Sequence, residues 1–208
     1  MSDVMERLKD GTWDLHQAAE GHDFQQRMVG GGLTREEYAA WLGQMLLVHR
    51  ALEEPLARLA ETDGRFAAVR PEQMQVPYLE ADLEALGVDP GSVRPLPATS
   101  ALVSEIERDA AQEPLRLLGH HYVLEGSNNG NRFIARRLLP ALGLQDGSAG
   151  RYLDPYGDRQ RELWAGFKAA MGEVPLSASE IDLLVDAARR MFAGIGALSG
   201  DLEAVSAA

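Results

Sequence analysis

Apolar residues recur at intervals of three and four over most of this chain, the period of an amphipathic helix, and no run alternates in the way a half-buried strand demands. The first helix is predicted over about residues 3–20. A turn at Gly30-Gly31-Gly32 precedes Thr34-Arg35-Glu36-Glu37, a capping-box pattern in which a hydroxyl and a carboxylate satisfy each other's backbone amides. It opens a long helix to about residue 60, with Tyr38, Trp41, Leu42, Met45, Leu46, Val48 and Leu52 as its apolar positions. Prolines at 71, 77, 90, 95 and 97 make the next stretch the loosest of the chain, an internal connection around one short helix at 78–86. Further helices are predicted over 100–111, over 114–139 with Pro114 in the first turn, and over 159–171, with 143–157 as loop. Ser177-Ala178-Ser179-Glu180 is a second capping box and starts a last helix with Ile181, Leu184, Val185, Ala188 and Phe192 on one face, fraying beyond Val205. The pattern describes one all-α domain over 1–208, with no internal repeat.

Composition narrows the chemistry. A chain of 208 residues is long enough to bury a core, and 45% apolar with 25% charged residues is ordinary globular composition, so disorder is not expected. The absence of cysteine excludes disulfides, iron–sulfur clusters and thiolate metal sites, and fits a reducing cytoplasm. No signal peptide and no bilayer-spanning run are seen, so a cytoplasmic protein without a membrane is expected. A net charge of -12 argues against nucleic acid as a partner. It also repels any anionic ligand, which must then be held by local cations, with Lys9, Arg132, Arg136, Arg137 and Arg161 as candidates.

Two segments carry the candidate chemistry. In the first helix His16 lies two turns after Lys9 and one turn before Glu20, so the three residues fall near one face, and Lys9 and His16 are about 10 Å apart along the axis. That face holds either a metal-ligating imidazole with a cation two turns away or a half-buried histidine bonded to Glu20. In the second segment, residues 121–134, Gly126 and Gly130 at i and i+4 strip one stripe of a helix, with Tyr122 preceding them on it. Each interior glycine costs up to about 1 kcal/mol relative to alanine, and the flanking Asn128, Asn129 and Asn131 add to the expectation of a kinked or loosened helix. Either a ligand approaches the backbone there or a neighbouring helix does. His22 and His49 read as packing residues. His120 and His121 are adjacent and point about 100° apart, so they cannot readily chelate one ion, though His121 is placed to border a pocket.

The run from Lys9 to Glu20, followed by Phe24-Gln25, Leu33-Thr34-Arg35-Glu36-Glu37-Tyr38 and His49-Arg50-Ala51-Leu52-Glu53-Glu54, together with Tyr122-Val123-Leu124-Glu125-Gly126-Ser127-Asn128 and Gly130, resembles the bacterial haem oxygenases. The resemblance implies a single-domain helical fold with haem sandwiched between an N-terminal proximal helix and the glycine-rich distal helix. It implies His16 as iron ligand, Glu20 as its acidic neighbour, and Lys9, Tyr122, Arg161 and Phe192 as residues around the haem. Gly126 and Gly130 then lie against its face, and Ser127 and Asn128 support the ordered water that protonates bound dioxygen. The implied reaction cleaves haem b, at once substrate and cofactor, to biliverdin, CO and iron. It consumes O2 and electrons from an external donor such as a ferredoxin, a flavoprotein reductase or ascorbate, and a phytochrome is a possible biliverdin acceptor. Two positions depart from the bacterial pattern: Asn129 stands where an apolar residue is usual, and Asn131 where Gly or Ala is usual. Either amide can support the water network, and Asn131 can also narrow the pocket; if Asn129 and Asn131 impair turnover, the alternative is a haem carrier or sensor that does not degrade its ligand. A di-iron oxidase or a thiaminase-like hydrolase on the same fold is not supported, for want of a Glu-x-x-His set and of a cysteine nucleophile.

Overall fold

The computed structural model describes residues 4–144 and 147–206, with the backbone alone at Glu20. The described residues include eight α-helices: α1 Val4–Glu20, α2 Asp23–Gly30, α3 Arg35–Thr62, α4 Val76–Ala85, α5 Pro97–Gln112, α6 Arg116–Ala141, α7 Gln160–Glu173 and α8 Ala178–Ser206. Among those residues there is no strand. Nor is any of these helices long and apolar enough to cross a membrane.

The caps explain where the longest helices start. The Thr34 hydroxyl accepts from the Glu37 amide at 3.2 Å while the Glu37 carboxylate accepts from the Thr34 amide at 2.8 Å, which closes the capping box of α3. Ser177 and Glu180 make the same exchange ahead of α8, at 3.3 and 2.8 Å. Helix α5 starts at Pro97, one turn earlier than the apolar pattern indicates, because a proline at N1 has no amide hydrogen to leave unsatisfied. Helix α8 continues to Ser206, one residue past the expected onset of fraying; 207–208 lie outside the described residues. Helix α2 is the element the periodicity does not announce. Its eight residues bury only Phe24 and Met28, too few to establish a period, and it ends on Gly31 in the left-handed region at φ 77°.

α8 is the spine of the molecule, with α1, α5 and α6 packed along it, α3 and α4 beyond α5, and α2 laid across α6 and α8. Two glycines set the closest helix approaches. Gly11 of α1 faces Val185 of α8, where a Cβ would stand 2.6 Å from Cγ1. On α6, a Cβ at Gly119 would collide with the Leu184 carbonyl oxygen of α8. α1 and α6 thus sit side by side on one support, with a cleft between them.

Candidate active site

Two adjoining cavities of about 330 and 890 Å³ fill that cleft and share His16, Val123 and Phe192 as walls. The smaller lies between Lys9 and Thr12 of α1 and Tyr122, Gly126 and Asn129 of α6, with Trp164 of α7 at its back. The larger continues along α6 past Ser127 and Gly130 to Ile134, Arg136 and Arg137, and is closed by Gln25, Gln26 and Val29 of α2. His16 is exposed towards this space. Its ring stacks on Trp13 with centroids 5.8 Å apart and meets the edge of Phe192 at 5.7 Å, so two aromatic neighbours limit its rotation.

The glycines of α6 separate by role. Gly119 is the helix-packing glycine, as its collision with α8 shows. A Cβ at Gly126 would meet Trp164 at 3.5 Å, an ordinary contact, and one at Gly130 would meet nothing within 4 Å. No protein atom therefore requires Gly130, and both glycines line the cleft. Helix α6 is unbroken through both of them. Asn129 contributes to this continuity by donating to the Gly126 carbonyl at 3.0 Å, and it accepts from Gln160 at 3.2 Å.

Cations stand at both ends of the cleft. Lys9 is at the small end. Arg136 and Arg137 are at the large end, and among the described residues neither makes an ion pair; the Arg136 guanidinium carbon is 5.8 Å from the Phe133 ring centroid. Arg132 is committed elsewhere, to Asp158 at 2.6 Å and Asp154 at 3.5 Å. Arg161 is exposed one turn before Trp164 on α7 and lines neither cavity, so the propionate role expected for it finds no support in its position.

An imidazole thus faces a bare glycine stripe across an apolar cleft, with room between them for a flat ligand. The family model described as "Heme oxygenase" matches residues 2–199. The chain belongs to the haem oxygenase family. "Heme oxygenase 1" of Synechocystis is 25% identical over 193 residues, covering 90% of this chain and 79% of that protein. "Heme oxygenase" of Pyropia yezoensis is also 25% identical, over 89% of this chain and 79% of that protein. In fold, the chain superposes on the crystal structure of the Synechocystis heme oxygenase-1 in complex with heme with a TM-score of 0.90, at 24% identity over 98% of this chain and 93% of that one. The heme oxygenase of Leptospira interrogans gives a TM-score of 0.88 at 23% identity over 95% and 98%.

Within this haem oxygenase fold several sequence expectations change. Asn128 does not face the cleft: it is 2% exposed and donates to Glu125 at 3.3 Å on the far side of α6, where a support for distal water cannot reach. Asn131, expected to narrow the pocket, is buried outside it, with its amide 3.4 Å from the Ser127 hydroxyl. Ser127 does line the cleft, and its hydroxyl donates to the Leu124 carbonyl at 2.7 Å. The Glu20 side chain lies outside the described residues. His121 is buried against Phe167 and bonded to Gln73 at 3.2 Å, and burial lowers its pKa to about 4; it does not border the cleft. His49 is a core residue between Glu53 at 2.7 Å and Tyr152 at 3.0 Å. His120 bonds Asp109 at 2.9 Å near Glu105, and the cation of that cluster is Arg190, 2.8 Å from Glu105.

Sequence reasoning missed Glu125. It is a carboxyl buried behind the glycine stripe, accepting from Tyr156 at 2.8 Å with its second oxygen unpartnered, and burial pushes its pKa up to about 7. Tyr156 in turn accepts from Gln75 at 3.3 Å. The Gln75 backbone amide donates to Glu53 at 2.6 Å. The available signal was an acidic residue in the otherwise apolar run Val123-Leu124 on a long interior helix.

Proposed function

We propose that this chain is a haem-degrading enzyme that binds haem b in the α1–α6 cleft through His16 and releases biliverdin, CO and iron. The observation that carries the reading is Gly130: a glycine on an uninterrupted helix, opposite the imidazole, with no protein neighbour to explain it. The cleft suits the macrocycle in three respects: an imidazole donor at its centre, apolar walls in Val123, Ile134 and Phe192, and cations at its ends. Haem as substrate supplies the iron at which dioxygen is reduced, with electrons from a separate ferredoxin, flavoprotein reductase or ascorbate, since a chain without cysteine has no cluster of its own.

The chain's own residues do the rest. His16 holds the substrate from one side, its ring fixed between Trp13 and Phe192. Gly126 and Gly130 present backbone on the other side, which leaves no acid side chain above the substrate and room for water to deliver protons. Ser127 is the hydroxyl of α6 that lines this space and can hold such a water. Of the two asparagines that raised the carrier alternative, Asn131 is outside the cleft, and Asn129 lines it with its side chain engaged by the Gly126 carbonyl and Gln160. The test is reconstitution of purified protein with hemin, followed by ascorbate or a ferredoxin system under air. A Soret band that forms and then gives way to chromatographically identified biliverdin supports the reading; a Soret band that persists through full reduction and reoxygenation refutes it.

A further inference from the structure

On the His16 side, the larger cavity is walled by α8 through the apolar Phe192 and Ile195, but α2 adds two carboxamides to it, Gln25 and Gln26. The hydrogen bonds around them decide which way each amide faces. The Ser199 hydroxyl has a single proton and donates it to the Ile195 carbonyl at 3.0 Å, so towards Gln25 it only accepts, and the Gln25 NH2 group donates to it at 3.1 Å. The Gln26 NH2 group donates to the Gly21 carbonyl at 3.2 Å, an oxygen with no hydrogen to return. Each side chain is thus tethered by its nitrogen and has its carbonyl oxygen to spare, and among the described residues neither oxygen accepts a hydrogen bond. Gln25 is half-buried and Gln26 exposed, so they border the cavity and are not sealed in the core.

Two acceptor oxygens in such a wall gain nothing from an iron macrocycle. Its four ring nitrogens are bound to the metal, so the face laid on this wall has no hydrogen to donate, and covering the oxygens strips their water without a return. The iron-free product differs in this respect. The nitrogens of an opened tetrapyrrole carry protons, and its pyrrole and lactam N–H groups no longer converge on one centre, so they can turn towards acceptors beside the chain.

We propose that the carboxamide oxygens of Gln25 and Gln26 accept hydrogen bonds from N–H groups of the open-chain, iron-free product, so that the α2 wall tells product from substrate and retains the product once the metal has left. The proposal rests on the reading of this cleft as the site of haem degradation.

The test measures equilibrium binding of two ligands to the full chain, hemin by Soret titration and biliverdin by quenching of tryptophan fluorescence. Trp13, stacked on His16, lines the cleft and reports the second. Methionine keeps the unbranched shape and helix propensity of glutamine and removes the amide. Q25M/Q26M binds biliverdin about tenfold or more weakly than wild type, the scale of two ordinary hydrogen bonds, while its hemin affinity does not fall. Circular dichroism checks the fold, and Q26M alone, at an exposed position, shows part of the loss should the double variant unfold. The proposal is overturned if the variants bind biliverdin as tightly as wild type, or if hemin and biliverdin weaken together, which makes the glutamines packing groups of the wall. Wild type that binds neither ligand overturns the reading of the cleft and the proposal with it. A selective loss of biliverdin in a protein that never degrades hemin refutes the enzymatic reading and leaves the acceptor site for open-chain tetrapyrroles standing.

Discussion

Replacing Gly130 by leucine separates a ligand face from a packing face within one helix. Leucine is favoured over glycine in a helix interior by about 0.8 kcal/mol. Because a Cβ at Gly130 meets nothing within 4 Å, no clash offsets that gain. The folded protein is therefore expected to become slightly more stable, its melting midpoint rising by about 2 °C for a chain of this size. The leucine side chain projects into the 890 Å³ cavity opposite His16, so hemin binding weakens or loses its free sixth position, and biliverdin formation collapses. Gly119→Ala is the mirror experiment. Its methyl group runs into the Leu184 carbonyl oxygen and the helices must separate, at a cost of about 1–3 kcal/mol, while the cleft keeps its lining. Urea unfolding read beside hemin titration and product chromatography gives both quantities for each variant. If Gly130→Leu turns over at the wild-type rate, or loses more than about 1 kcal/mol where a gain is expected, the stripe is not a substrate face.

Two further substitutions test other parts of the site. His16→Ala removes an exposed side chain and raises helix propensity, so it yields a folded protein that loses the imidazole-ligated spectrum and most turnover, with partial recovery in added imidazole; an unchanged Soret band assigns the iron to another residue. Glu125→Gln is expected to change the pH dependence of stability. With the folded carboxyl near 7 and the unfolded one near 4.5, both states are protonated in more acidic solution, and between those values only the unfolded chain ionises. Wild-type stability therefore falls by up to about 3 kcal/mol as pH rises through 7, and the glutamine removes that fall. Unfolding free energies of the two proteins that run parallel from pH 4 to pH 8 rule out a buried, protonated Glu125.

The residues that were legible in the sequence are those whose role is fixed by helix face alone. A period of 3.6 puts His16 and Lys9 near one face of α1 and Gly126 and Gly130 on one stripe of α6, while only the resemblance implied that the two face each other; they line one cleft. The same arithmetic argues against Asn128, which lies about 200° around the helix from Gly126 and so points into the core, where it meets Glu125. Its expected role followed the order of residues in a motif and ignored their angle. Asn131, at about 140° from Gly126, falls just outside the lining arc for the same reason. What no single helix reveals is the length of the cleft. That is set by α2, which packs on α6 and α8 with Phe24 and Met28 buried and closes the cavity whose wall includes Arg136 and Arg137. Local periodicity can say which way a side chain points, but the groups it faces depend on a two-turn helix too short to carry a period of its own.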